Sequence, residues 1–102
     1  MLISEIVLMN PRLTQNQQIV LCIAFNAPTS TVAFEQTQQN PNMVEARKQL
    51  ANMGMIEYDD ENGIVVTEDG KKAMQREDLL NDEDALTERG MQLVQSNVTA
   101  GL

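Results

Sequence analysis

The stretch Val44–Gly70, VEARKQLANMGMIEYDDENGIVVTEDG, leaves a chain little freedom, because a helix, a β-hairpin and the start of a second helix follow one another in it. Val44, Arg47, Lys48, Leu50, Ala51 and Met55 set apolar and basic residues at three- and four-residue steps. One stripe can therefore pack inward while Arg47 and Lys48 stay wet. Gly54 ends the helix, since a residue tolerant of positive φ closes the last turn cheaply. Met55–Tyr58 and Ile64–Thr67 are short β-prone runs, and Asn62-Gly63 between them is a favoured type I′ pair. Thr67 can cap the following helix, with Glu68 and Asp69 where the helix dipole favours negative charge. The order also fits a helix and hairpin of a general α+β domain.

The rest of the chain extends this pattern. Met1–Met9 carries Leu2, Ile3, Ile6, Val7 and Leu8 at helix-like spacing, a run that also suits a strand, and Pro11 breaks it. Thr14 reads as the N-cap of a helix from Gln15 to about Asn26, with Ile19, Val20, Ile23 and Ala24 inward. Ala27-Pro28 ends it. Ser30 or Thr31 can cap a shorter helix through about Gln38, offering Val32, Ala33 and Phe34 to the core. Gln39-Asn40-Pro41 then makes a turn, and Asn42 caps a third helix that begins at Met43. A last helix, about 83–97, carries Leu86, Met91, Leu93, Val94 and Val98, an apolar stripe that must be buried on its own domain or across a homodimer. The 102 residues suit a single domain, 1–102, with a core of about 13–78. The expected class is mainly α with a small β-hairpin.

Three helices and a hairpin in this order resemble the MarR-type group of winged helix-turn-helix regulators. The matching residues are Leu50, Gly54, Met55 and Ile56 at the end of the third helix, and Val66, Thr67, Glu68, Asp69 and Gly70 where the hairpin closes. The resemblance covers about Leu13 to Met74. It implies a winged helix-turn-helix with an N-terminal segment and additional C-terminal helices, and it raises the option of a homodimer through the terminal helix. Leu86-Thr87-Glu88-Arg89-Gly90-Met91 also echoes Val66-Thr67-Glu68-Asp69-Gly70-Lys71, either as a duplicated segment or as one capping logic used twice.

Chemistry is narrowed by what is missing. With His 0 and Cys 1, no Ser/His or Cys/His nucleophile pair can form, and a transition-metal site lacks its usual ligands. The chain is therefore not expected to be an enzyme, with no catalytic, cofactor-binding or metal residues. Oxygen-only clusters at Asp59–Glu61, Glu68-Asp69 and Asp82–Asp84 read as a solvated hairpin tip and two helix starts; in an EF-hand register the first ligand would fall on Tyr58. Cys22, among Ile19, Val20, Leu21 and Ile23, reads as a buried thiol of a reducing, cytoplasmic compartment, with a redox sensor as the alternative. No run of 18 apolar residues and no basic leader occur, so neither a membrane span nor secretion is expected.

Charge divides the chain. Residues 1–56 balance Arg12, Arg47 and Lys48 against Glu5, Glu35 and Glu45, and the formal net charge of −8 therefore lies wholly after Ile56. Phosphate contacts supply much of DNA affinity, so a hairpin tip of Asp59, Asp60 and Glu61 is not expected to touch DNA. The third helix is less hostile. Gln39, Asn40, Asn42, Met43, Ala46 and Gln49 lie at its start and on its expected outer face, with Asn and Gln suited to adenine and Arg47 and Lys48 to phosphates. Glu45 can accept from cytosine or repel. So few charges predict modest affinity and a shallow salt slope unless a dimer doubles them.

The expectation is a small sequence-specific DNA-binding transcriptional regulator that places helix 43–53 in the major groove. The alternative is an acidic winged-helix protein-interaction module, suited to a viral or mobile-element source. Its Met-rich or acidic surface would grip a protein partner, or imitate nucleic acid in a basic groove.

Overall fold

In the computed structural model, residues 12–59 and 62–100 are described, and they form five helices and one antiparallel hairpin. The elements run α1 (Gln15–Asn26), α2 (Ser30–Thr37), α3 (Pro41–Asn52), β1 (Ile56–Tyr58), β2 (Ile64–Val66), α4 (Glu68–Arg76) and α5 (Glu88–Ala100). The chain is mainly helical with a two-stranded hairpin, as its sequence led us to expect. The run Met1–Met9, with Pro11, lies outside the described residues, as do Asp60 and Glu61 of the hairpin tip. Among the described residues no helix is long and apolar enough to cross a membrane.

α1 organises the packing. Thr14 caps it through a capping box in which Thr14 Oγ1 accepts from the Gln17 N–H at 3.1 Å and Gln17 Oε1 accepts from the Thr14 N–H at 3.0 Å. Every residue from Gln17 to Ala24 is buried, so α1 has no wet face along its middle. It is the central post of the fold, touched by α2, α3, β2, α4 and α5, which is why its apolar residues run continuously rather than in a stripe. Ala27, pushed to extended backbone by Pro28, ends it.

Two helix starts are displaced from those expected. α2 is capped by Thr29, whose Oγ1 accepts from the Val32 N–H at 3.1 Å, and not by Ser30 or Thr31. α3 begins at Pro41 under an Asn40 cap, and not at Met43 under Asn42. A proline in the first helical position needs no N–H partner, and it forces its predecessor into the extended conformation that an N-cap requires. Gln39-Asn40-Pro41 is thus a helix start and not only a turn.

The hairpin pairs Ile56 with Val66, Glu57 with Val65 and Tyr58 with Ile64. Asp59 N donates to Gly63 O at 2.8 Å, so Gly63 belongs to the ladder, and the expected two-residue Asn62-Gly63 turn does not form. Glycine is needed there for space, since a Cβ would strike Asp59 O and Ser30 Oγ.

α3 ends in a Schellman motif. Gly54 (φ +77°) donates to Ala51 O and Met55 N donates to Leu50 O at 2.9 Å. The end of α4 repeats it, with Asp78 (φ +62°) donating to Gln75 O and Leu79 N to Met74 O at 2.8 Å. The correspondence continues through the chain that follows. Thr67 N donates to Met55 O and Thr87 N to Leu79 O, both at 3.0 Å. Thr67 Oγ1 donates to Gly54 O and Thr87 Oγ1 to Asp78 O, both at 2.6 Å, and each hydroxyl accepts at 3.1 Å from the glycine three residues on, Gly70 or Gly90.

The last helix therefore starts at Glu88 rather than near residue 83. Leu86, expected on it, instead bridges Leu80 ahead of it. Asp82–Asp84 form a turn in which Asn81 Oδ1 accepts from Glu83 N at 2.8 Å and Ala85 N at 3.1 Å, a local alternative to helix start. Leu79, Leu80 and Val94 join the core, so it extends beyond residue 78. Leu93 is half-buried and Met91 is exposed; the Val98 side chain lies outside the described residues.

Candidate recognition face on the third helix

α2 and α3 are joined by the short turn Gln38–Asn40, and α3 packs its inner side on α1, α2 and β1. Met43, Ala46, Arg47 and Leu50 form that inner side. Their 3-, 1- and 3-residue steps are the inward stripe of an amphipathic helix. Of the residues expected to meet DNA, Met43, Ala46 and Arg47 are thus turned into the core, whereas Gln39, Asn40, Asn42, Lys48 and Gln49 are exposed.

Arg47 is the clearest correction. Expected to stay wet, it is 4% exposed. Its guanidinium stacks over Phe34, 4.3 Å from the ring centroid, a geometry in which the ring quadrupole attracts the cation. Nη1 donates to Gln38 Oε1 at 2.7 Å and more weakly to Thr37 Oγ1 at 3.4 Å, while Nε has no partner among the described residues. The cation also sits against the C-terminus of α2, where the helix dipole favours it. Arg47 thus clamps α2 to α3 instead of reaching outward. The signal lay in its own spacing, since Arg47 falls on the Met43–Ala46–Leu50 stripe.

The wet side of α3 carries Asn42, Glu45, Lys48, Gln49 and Asn52. Glu45 and Lys48 cancel, which leaves an amide-rich face with Lys48 as its one exposed cation. Gln49 is not free to turn. Its Oε1 accepts from Gln17 Nε2 at 2.9 Å, and Gln17 Oε1 is already held by the Thr14 cap. Gln17 and Gln38 were not among the residues singled out from sequence, because their role is to orient neighbours on other elements. Phe34, Glu35, Gln38 and Gln39 line a shallow open depression beside this face.

Asp59 of the hairpin is set away from the α2–α3 turn. Ser30 Oγ donates to Asp59 Oδ2 at 2.8 Å, which fixes Asp59 at the N-terminal end of α2. Eight residues of helix put that point about 12 Å along the axis from the turn at its other end, beyond a screening length of about 8 Å at physiological salt. α4 and α5 take α1 as a main packing partner, not α3.

Cys22 offers no reactive thiol. It is fully buried in α1, and desolvation pushes its thiol up from 9.0 to about 12, only partly opposed by Arg89. At neutral pH it holds its proton, which disfavours the redox-sensor alternative.

No family model, curated protein or solved structure matches this chain.

Proposed function

We propose that the chain is a winged helix-turn-helix domain of a small DNA-binding regulator, in which α3 enters the major groove and the hairpin is the wing. The observation that carries this reading is the exposed side of α3. It is amide-rich, carries no excess of negative charge, and follows a three-residue turn from α2. Asn, Gln and Lys side chains are the ones that hydrogen-bond base edges and phosphates. The wing, with Glu57 and Asp59 exposed, stays off the phosphates. With Lys48 alone as the exposed cation of that helix, affinity is modest and falls gently with salt. A second copy, joined through α5, would bring two such helices to one duplex.

A second reading is favoured by the burial of Arg47, which removes half of the basic charge that DNA binding would draw on. In it the same scaffold is an acidic protein-interaction module, and Met53, Tyr58 and Val65, all exposed, are residues of the kind that protein interfaces favour or tolerate.

Retention of random genomic fragments at low and moderate salt separates the two. The control is Lys48→Glu, since an Arg47 variant would disturb the fold. Fragments kept by the native protein and lost by the variant support DNA binding. No retention at any salt rejects it and leaves the protein-partner reading, to be pursued by pull-down.

A further inference from the structure

Three amides of the α2–α3 turn and the candidate face, Gln38, Asn40 and Gln49, are turned so that they offer hydrogen-bond donors, and this goes beyond the expectation that the face reads adenine. Three side-chain oxygens are engaged within the protein. Gln38 Oε1 accepts from Arg47 Nη1 at 2.7 Å, Asn40 Oδ1 accepts from the Met43 N–H at 3.0 Å, and Gln49 Oε1 accepts from Gln17 Nε2 at 2.9 Å. In each case the partner fixes which end of the amide faces it. A guanidinium and a backbone N–H can only donate, and Gln17 must donate because its own oxygen is taken by the Thr14 N–H. The NH2 groups of Gln38, Asn40 and Gln49 therefore remain for a ligand, and none has an acceptor among the described residues. Lys48, next to Gln49 on the same helix, adds a donor that cannot accept. Gln39 is turned the other way, with its Nε2 near Glu35 O at 3.4 Å.

Adenine asks a side chain for a donor and an acceptor together, at N7 and N6, whereas guanine presents two acceptors, N7 and O6, in the major groove. We infer that Gln38 and Asn40 of the α2–α3 turn, with Lys48 and Gln49 of α3, form a donor array that reads guanine N7 and O6 in duplex DNA. Gln49 and Lys48 contact the base edge, and Gln17 acts as the positioning residue that keeps the Gln49 NH2 outward. This rests on the DNA-binding reading above.

The test is selection by the full chain from duplexes with a randomised core, followed by binding to the selected duplex and to its 7-deazaguanine counterpart, which lacks N7. Guanine is expected at recurring positions, and each 7-deaza replacement at a contacted guanine weakens binding about fivefold or more. Inosine, which keeps N7 and O6, leaves binding unchanged. Gln49→Glu keeps an acceptor for Gln17 while removing the outward donor, so it folds as the native chain does by circular dichroism and loses its preference for guanine over adenine. Gln17→Leu folds too, but frees Gln49 to turn, so the guanine preference narrows. Selected sequences without guanine, or equal binding to the 7-deaza duplex, overturn the guanine assignment while leaving DNA binding in place. No selection from the pool at any salt overturns DNA binding and the assignment with it.

Discussion

From Leu50 to Gly70 and from Met74 to Gly90 the chain makes the same sequence of moves around different contents. In both, a helix ends in a Schellman motif and a left-handed residue turns the chain outward. A threonine then caps the next helix while its hydroxyl donates back to the carbonyl of that left-handed residue. Between these ends the first segment inserts Glu57–Val65 and builds a two-stranded ladder, whereas the second inserts only Asn81–Ala85 and closes with the Leu80–Leu86 bridge. The ends are satisfied by backbone groups and one hydroxyl, so they tolerate excursions of very different length. The length of the excursion decides whether a two-stranded hairpin forms. The 20-residue echo in the sequence is thus a repeat of one structural device, closed over a long loop and a short one.

The largest effect should come from the buried residue whose carbonyl receives the 6→1 Schellman bond in each copy, Leu50 or Met74, both 0% exposed. Leu50→Ala and Met74→Ala should each cost about 2–5 kcal/mol in urea unfolding. A much smaller cost for Met74→Ala would show that the second device is peripheral to the fold.

Next in size are Gly70→Ala and Gly90→Ala. A Cβ at 70 would meet Met55 O, and one at 90 would come within 2.6 Å of Leu79 O, a backbone atom that cannot step aside cheaply. Each substitution should lower stability by about 1–3 kcal/mol. A thermal melt in which only Gly70→Ala is destabilised would mean that the shorter loop has slack that the hairpin lacks.

Thr67→Ala and Thr87→Ala test the caps, with an expected loss of about 0.5–2 kcal/mol each. The two caps share no partner, so the double variant should equal the sum of the singles. A coupling well outside about 0.5 kcal/mol would show that the two devices support one another through α4.

Much of this architecture is legible in the sequence. Thr14, Thr67 and Gly54 announce helix boundaries through local chemistry, and local chemistry is what a sequence displays. What stayed hidden depends on competition or on distant partners. Asn42 has the chemistry of a cap, but Pro41 takes the first helical position and leaves the cap to Asn40. Asp82–Asp84 looked like a helix start, but Asn81 draws the backbone N–H groups of Glu83 and Ala85 into a turn of its own. Arg47 looked solvated because it is charged, and its burial depends on Phe34, Thr37 and Gln38 arriving from α2. The outward donors of the candidate face were also illegible, since an amide's orientation is set by its partner; for Gln49 that partner is Gln17, 32 residues away.

The smallest difference between the two devices is the left-handed residue itself. The first uses Gly54 at φ +77°, the second Asp78 at φ +62°. An L-residue pays roughly 1–2 kcal/mol in that region, less for aspartate, whose short side chain tolerates it. Asp78→Gly removes that cost but also frees the unfolded chain, so the two nearly cancel and stability should move by about 0.5 kcal/mol or less. Gly54→Asp runs the exchange in reverse, and a Cβ at 54 meets nothing within 4 Å. Its cost is therefore conformational alone, about 1 kcal/mol. If Asp78→Gly instead lost more than Gly54→Asp, the aspartate would be holding the second turn through its side chain, and the two devices would be alike only in their backbones.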